Sequence, residues 1–473
     1  MSRPATYYDV VVIGTGPGGE GVAIMLAKSG KRVVVVEKHC MVGGGCTHWG
    51  TIPSKTFIHV ARQYGEQTQN RLIDCAGDLL PLDADRLMTA VTDVVEQQVN
   101  DRAGFYRRNG IEVVEGFARF ADPHTVEVCV GSEVTHVLHG DSVVIASGTH
   151  PYRPDDVDFY NLRVVDSDTV LKMRTLPKVL TVYGAGVVGC EYASAFRGLG
   201  VDVNLINTRP RILEFLDDEI SAALGDHMCN QQGIKLLQGA EYQRVEVGAD
   251  GVLLQLQSGQ TIRSDMLLWA NGRSGNIAGM NLEAVGIAAD SRGQIAVNGS
   301  YQTAVPHIYA VGDIIGSPNL ASAAYDQGRF AACHIISGQC DTALVSDIPT
   351  GIYTRPEVSC VGMTEQELVG NGIPFESGRA HFRNLARGQI SDHKVGMLKL
   401  LFDPDSLAIL GVHCFGHSAA DLLHLGQSIM AQPSPLNSIR YFINTTFNYP
   451  TMAEAYRVAA LNGYNKLRPG PAS

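Results

Sequence analysis

No stretch of the 473 residues approaches the ~18–20 consecutive apolar residues that a membrane-spanning helix requires, so no membrane partner is expected. An excess of positive charge is lacking too. Lys and Arg total 37 against 48 Asp and Glu, a formal net charge of −11, and without a global basic field nucleic acid is not an expected partner. Cysteine is thinly spread. The ten residues, Cys40, Cys46, Cys75, Cys129, Cys190, Cys229, Cys333, Cys340, Cys360 and Cys414, show no tight spacing that would staple a small secreted domain. A reducing, cytoplasmic setting is therefore expected, and the few residues ahead of "YYDVVVIG" are too short for a signal peptide. Glycine, by contrast, is plentiful at 51 residues, which suits a fold with many close backbone approaches. The length implies about three or four domains.

The segment "YDVVVIGTGPGGEGVAIMLAKSGKRVVVVEK" reads as strand, tight turn, amphipathic helix and strand. Gly14, Gly16 and Gly19 fit the G-x-G-x-x-G spacing, and Glu37 closes the second strand eighteen residues after Gly19. Such glycines let backbone N–H groups reach a pyrophosphate at a helix N-terminus, while the acid accepts hydrogen bonds from a ribose. The pattern recurs in "VLTVYGAGVVGCEYASAFRGLGVDVNLINTRPR" at Gly184, Gly186 and Gly189, so two dinucleotide sites are expected. Here the position equivalent to Glu37 is Asn207, followed by Arg209 and Arg211. A carboxylate would repel the 2′-phosphate of NADP. Asparagine can accept from a hydroxyl or donate to a phosphate, and the arginines can clamp one, so a pocket tolerant of both NAD(H) and NADP(H) is expected.

Two later segments, "IASGTHP" with Gly148 and "IYAVGDI" with Asp313, flank the second fingerprint and resemble the pieces that complete a flavin site. The first domain is thus expected to be interrupted: 1–150 and 275–345 form one unit, 151–274 are inserted, and 346–473 follow as a third. Together with "GGGCTHWGTIPSK" and "AVGD", these motifs resemble the pyridine nucleotide-disulfide oxidoreductase family over nearly the full length. The resemblance implies an α/β fold with two Rossmann-like dinucleotide-binding domains, the NAD(P) domain inserted in the FAD domain. It also implies a C-terminal α+β interface domain opening with a strand at "GIYTRPEVSCVGMTE", and a homodimer or larger homo-oligomer. One non-covalent FAD per subunit is implied, with Gly14, Gly16, Gly19 and Glu37 at its adenosine end and Asp313 at its ribityl chain. Gly148 and Gly272 count among the cofactor contacts, and Lys55 would lie beside flavin N5, paired with Glu191. A lysine desolvated by a flavin needs such a carboxylate to keep its charge.

The chain departs from that family where the chemistry of thiols is concerned. In "GGGCTHWGTIPSK" Cys46 keeps the first position of the C-x-x-x-x-C pair, and Thr51 takes the second. A threonine hydroxyl does not ionise usefully and cannot form a disulfide. In "TTFNYPTMAEAYRVA" the family's acid/base histidine, supplied by the partner subunit, is replaced by Tyr449, while Glu454 is kept. Tyrosine, with a pKa near ~10, manages protons poorly at neutral pH. Hydride transfer from nicotinamide to flavin needs neither group, and with no disulfide to reduce the simplest acceptor is a second nicotinamide.

The segments "LINTRPR" and "FNYPTMAEAYRVAALNG" also resemble one branch of the family, and that resemblance implies the reaction NADPH + NAD⁺ ⇌ NADP⁺ + NADH through FAD. Two alternatives are a diaphorase or quinone reductase, and a non-catalytic flavoprotein scaffold; intact Lys55, Glu191 and fingerprints argue against the second. "HCFGH" with His424 lacks a second matching ligand pair, so no metal is expected. His48 and Trp49 are expected to pack structurally, "NLASAAYDQGRFAACHIIS" to form a helix whose dipole faces the flavin, and "RPGPAS" to be a mobile tail.

Overall fold

The computed structural model describes residues 4–68, 83–340 and 347–467; Cys75 and the "RPGPAS" end lie outside the described residues. Its first sheet follows from the β-branched runs. In spatial order the strands are Glu112–Glu115, Val33–Glu37, Thr6–Ile13, Glu133–Ile145, Thr125–Val130 and Phe117–Asp122, and Ile308–Ala310 also pairs with Glu133–Ile145. The first four run parallel, and the inner three carry continuous apolar stretches, as strands covered on both faces do: Val10 to Val12, Val33 to Val36 and Val143 to Ile145 are buried. Of the helices α1 (Pro17–Lys28), α2 (Gly44–His48), α3 (Thr51–Thr68) and α4 (Ala84–Arg108), α1 and the end of α4 pack on them through Val22, Ala23, Leu26 and Tyr106, while Phe57, Ile58 and Ala61 of α3 join a different core. Between Arg62 and Gly110 lie the end of α3 and all of α4, with 69–82 outside the described residues.

A second, wholly parallel sheet orders its strands Lys235–Leu237, Asp202–Ile206, Val179–Tyr183, Met266–Trp269 and Val164–Asp166. Helices α5 (Val187–Gly198) and α6 (Asp218–Asp226) belong to it. Between the sheets the chain passes twice, and both passages meet in one antiparallel ribbon, Thr149–Pro151 against Arg273–Gly275. The chain then returns to the first sheet at Ile308–Ala310 and enters α7 (Ala321–Ser337).

The third sheet is antiparallel, ordered Thr350–Ile352, Glu357–Gly362, Ile409–Gly416, Gly396–Phe402 and Glu376–His381. The single opening strand expected at "GIYTRPEVSCVGMTE" is in fact two paired strands. Pro356 has no N–H to give a ladder, and Thr354 Oγ1 donates to the Pro356 carbonyl at 2.6 Å, turning the chain between them. Helices Ala419–Met430 and Glu454–Lys466 pack on this sheet, burying Leu423, Tyr456, Ala459 and Ala460. Among the described residues, no helix is long and apolar enough to cross a membrane.

Candidate active site

The two glycine fingerprints fold alike, down to single contacts. A Cβ on Gly14, at φ +105°, would stand 2.4 Å from the Ala146 carbonyl oxygen, and one on Gly184, at φ +107°, would stand 2.5 Å from that of Ala270. The third glycines, Gly19 and Gly189, would collide with the carbonyls of Gly14 and Gly184 at 2.0 and 1.8 Å. These four allow strand, turn and helix to close. The middle glycines behave differently: Gly186 meets nothing within 4 Å and Gly16 only the Gly44 Cα at 3.9 Å. Both are N-caps, of α5 and α1, without a side-chain cap, so each helix presents unsatisfied N–H groups and partial positive charge to open space. Gly148 and Gly272, at φ +67° and +103°, likewise meet nothing within 4 Å.

Past the first fingerprint, Glu37 is buried. Its Oε2 accepts from the Thr15 N–H at 3.0 Å and the Thr15 hydroxyl at 2.5 Å, and its Oε1 from the His39 N–H at 3.0 Å. It borders a cavity of about 580 Å³ lined also by Met41, Val42, Tyr106 and Glu115. Two buried hydroxyls, Thr47 Oγ1 and Ser147 Oγ, lack hydrogen-bond partners; Thr47 follows Cys46 in α2, and Ser147 precedes Gly148 in the loop after the Glu133–Ile145 strand. Asp313, in the turn after Ile308–Ala310, accepts from Thr149 Oγ1 at 3.3 Å. Burial pushes its carboxyl up, against the opposing pull of Arg273 and Thr149. A dinucleotide with a flavin fits these residues: an uncapped helix end, orphaned buried hydroxyls, an open cavity beside a carboxylate, and glycines where a side chain would intrude.

The ion pair expected between Lys55 and Glu191 is present, Nζ to Oε2 at 2.7 Å, joining α3 to α5. Glu191 is almost fully buried, while Lys55 keeps 29% of its side chain exposed. The other oxygen, Oε1, accepts the Tyr353 N–H at 2.9 Å, and Lys55 Nζ lies 5.1 Å from the Tyr353 ring centroid. Sequence reasoning missed Tyr353; its only signal was its place in the turn ending the Thr350–Ile352 strand. Also missed was the charge buried behind α1. Glu20 pairs with Arg102 of α4 at 3.4 Å, Arg102 reaches the Tyr325 hydroxyl at 3.3 Å, and burial pushes the Glu20 carboxyl up. A carboxylate inside the apolar stripe of a helix was the legible clue.

Cys46 is a free thiol in α2, with Thr51 opening α3 and hydrogen-bonding to it. Burial pushes the thiol above its ordinary value, and the Thr51 bond and the Arg102 charge offset this only in part. His48 Nε2 is bonded to the Val42 carbonyl at 2.8 Å and Trp49 packs against His39, a structural arrangement. Helix α7 begins without a side-chain cap, and its Gln327 accepts the Gly312 N–H at 2.8 Å beside Asp313. Tyr449 is 66% exposed and Glu454 opens the last helix; among the described residues neither is hydrogen-bonded to Lys55, Cys46 or Thr51.

At Asn207 the structure changes the expectation. The side chain is buried and committed to its own turn: Nδ2 donates to the Arg211 carbonyl at 2.8 Å, and Oδ1 accepts the Arg209 N–H at 3.3 Å. Arg209 and Arg211 pair with Glu214 and Asp218. A short polar side chain after a strand braces the chain reversal before it serves any ligand.

The profile of the pyridine nucleotide-disulphide oxidoreductases matches residues 8–328, and that of their dimerisation domain matches 348–460. A protein from Vibrio vulnificus (strain YJ016) named soluble pyridine nucleotide transhydrogenase is 52% identical over 98% of this chain and 99% of its own. One of the same name from Escherichia coli (strain SMS-3-5 / SECEC) is 52% identical over 98% and 100%. Among solved structures, the Cu(II) complex of the HOCl-induced flavoprotein disulfide reductase RclA from Escherichia coli superposes with a TM-score of 0.87 at 24% identity, over 96% and 99% of the two chains. LpdA from Mycobacterium tuberculosis gives 0.87 at 23%, over 98% and 100%. With both profiles matched in succession on this arrangement of Rossmann-type sheets, the chain belongs to the pyridine nucleotide-disulphide oxidoreductase family.

Proposed function

We propose that the protein is an FAD-dependent pyridine nucleotide transhydrogenase, NADPH + NAD⁺ ⇌ NADP⁺ + NADH, lacking the redox disulfide of its family. The observation that carries this is the replacement of the second cysteine by Thr51 beside a half-buried Cys46, in a chain whose two fingerprints and Lys55–Glu191 pair are intact. Its similarity to proteins named soluble pyridine nucleotide transhydrogenase supports the same reading. Residues 1–150 and 275–345 form the FAD domain, 151–274 the NAD(P) domain and 346–473 the interface domain of a homodimer or larger homo-oligomer, working in the cytoplasm.

Bound FAD supplies a two-electron relay that takes hydride from one nicotinamide and returns it to another. Gly16 would admit its pyrophosphate to the end of α1, with Gly14 and Gly19 closing the turn behind it; Glu37 would take the adenosine ribose, Asp313 the ribityl chain, and Gly148 would leave room beside them. Gly186 would do the same for the nicotinamide dinucleotide at α5, with Gly184 and Gly189 closing that turn and Gly272 leaving room. Lys55 Nζ, held by Glu191 Oε2 at 2.7 Å, sets a positive charge at the reacting centre. Glu191 stays oriented through the Tyr353 N–H. Cys46, kept protonated by burial, and Thr51 fill the space where a disulfide would otherwise compete for the electrons. Tyr449 and Glu454 sit where the family places its thiol proton carrier, and here there is no thiol proton to carry.

The test is steady-state transfer from NADPH to an NAD⁺ analogue, anaerobically, with no dye present. Parallel-line kinetics are expected, both nicotinamides taking turns at one site. Rapid quinone reduction without nicotinamide transfer would instead establish a diaphorase.

A further inference from the structure

The guanidinium groups best placed for a 2′-phosphate are already occupied. Arg209 Nη1 lies 3.1 Å from Glu214 Oε2, and Arg211 Nη1 is bonded to Asp218 Oδ1. The backbone of their turn is pinned: Asn207 N donates to the Leu237 carbonyl at 2.7 Å, Gly239 N to that of Arg209 at 3.0 Å, and Asn207 Nδ2 to that of Arg211. Freedom is left only in the side chains, 70% exposed for Arg209 and 48% for Arg211.

Asp218 is a fixed post. It stands in the first turn of α6, whose N-cap Asp217 is fully buried and accepts Lys399 Nζ at 2.8 and 3.0 Å. Asp217 also accepts the N–H groups of Glu219 and Glu365, at 3.1 and 3.2 Å, so the start of α6 is bolted to the third sheet. Arg211 can swing away from Asp218, whose backbone stays at the anchored start of α6.

We infer that Glu214 and Asp218 are specificity-determining residues of the nicotinamide site, acting by competing with the 2′-phosphate for Arg209 and Arg211. NADP(H) must open two ion pairs that NAD(H) leaves closed. The phosphate gains two arginines and gives back part of that gain, which brings the two dinucleotides closer in affinity than free arginines would allow. This rests on reading the second fingerprint as the NAD(P) site. An exposed ion pair of this kind holds back about two- to fivefold in affinity.

The experiment uses the full-length, FAD-loaded protein and calorimetric titration with two probes, adenosine 2′,5′-bisphosphate and 5′-AMP, which differ only in the 2′-phosphate. Asp218→Asn and Glu214→Gln, made separately so that one misfolded variant does not end the test, should each tighten the bisphosphate by about two- to fivefold and leave 5′-AMP unchanged. Adding Arg211→Ala to Asp218→Asn should cancel the gain. Equal changes for both probes, or none, in variants that retain FAD would overturn the inference while leaving the transhydrogenase reading intact. If the unaltered protein bound neither probe, that reading of the site would fall, and the inference with it.

Discussion

Replacing Glu191 by glutamine and, separately, by leucine divides its two bonds. Glutamine keeps an oxygen for the Tyr353 N–H but loses the charge that holds Lys55. Because Lys55 is 29% exposed and can recover water, the cost falls short of a fully buried broken pair, at ~1–2 kcal/mol. Leucine loses the charge and also strands the Tyr353 N–H, adding ~1–3 kcal/mol. At roughly 2–4 °C per kcal/mol for a unit of this size, the glutamine protein should melt a few degrees below the parent and the leucine protein several degrees lower still. Thermal unfolding of the FAD-loaded proteins reads the difference, and nicotinamide transfer should fall in both. If the two melt together, the Tyr353 bond contributes nothing. If the leucine variant keeps full turnover, the Lys55 charge is not at the reacting centre.

Gly186→Ala should leave the melting temperature unaltered, since its Cβ would meet nothing, yet weaken both NADH and NADPH by about tenfold. Gly189→Ala, whose Cβ would lie 1.8 Å from the Gly184 oxygen, should instead unfold the domain, and comparable stability in the two would refute the assigned roles. Thr51→Cys should produce no lipoamide or glutathione reductase, because Tyr449 cannot manage the thiol proton; robust disulfide turnover in that variant would show the reasoning wrong. For Asp217 and Glu219 burial pushes the carboxyls up, but bonds to Lys399 for the first, and to Arg379 and Lys399 for the second, outweigh it and hold both low. Folded, they bind fewer protons than unfolded, so their stabilisation is whole above the ordinary carboxyl range near ~4 and is lost as pH falls through the depressed values. The melting difference between the parent and Lys399→Met should accordingly be large at neutral pH and shrink toward pH ~3; a difference independent of pH would contradict this.

Glycines made the fold legible. Gly14, Gly19, Gly184 and Gly189 are positions where backbone meets backbone, and that requirement is local enough to be read in a dozen residues. Lys55 and Glu191 are 136 residues apart, and no periodicity joins them; family resemblance did. Asn207 shows the limit of spacing. Its position was legible, but its hydrogen bonds depend on which carbonyls the turn leaves unpaired, a tertiary matter. Asp217, Lys399 and Glu365 were invisible because each looks like an ordinary surface charge until α6 is laid against the third sheet. The separation of "GIYTRPEVSCVGMTE" into two strands was written in Pro356, whose missing N–H outweighs the apolar run around it.

The ribbon of Thr149–Pro151 against Arg273–Gly275 brings the exit from the first sheet and the return to it within one strand pairing, about 5 Å apart. Everything between is therefore a cassette with two adjacent ends. A unit so attached can be exchanged for a relative's without rethreading the rest of the chain, provided the replacement keeps the partners of Lys55 and Lys399 that reach out of it.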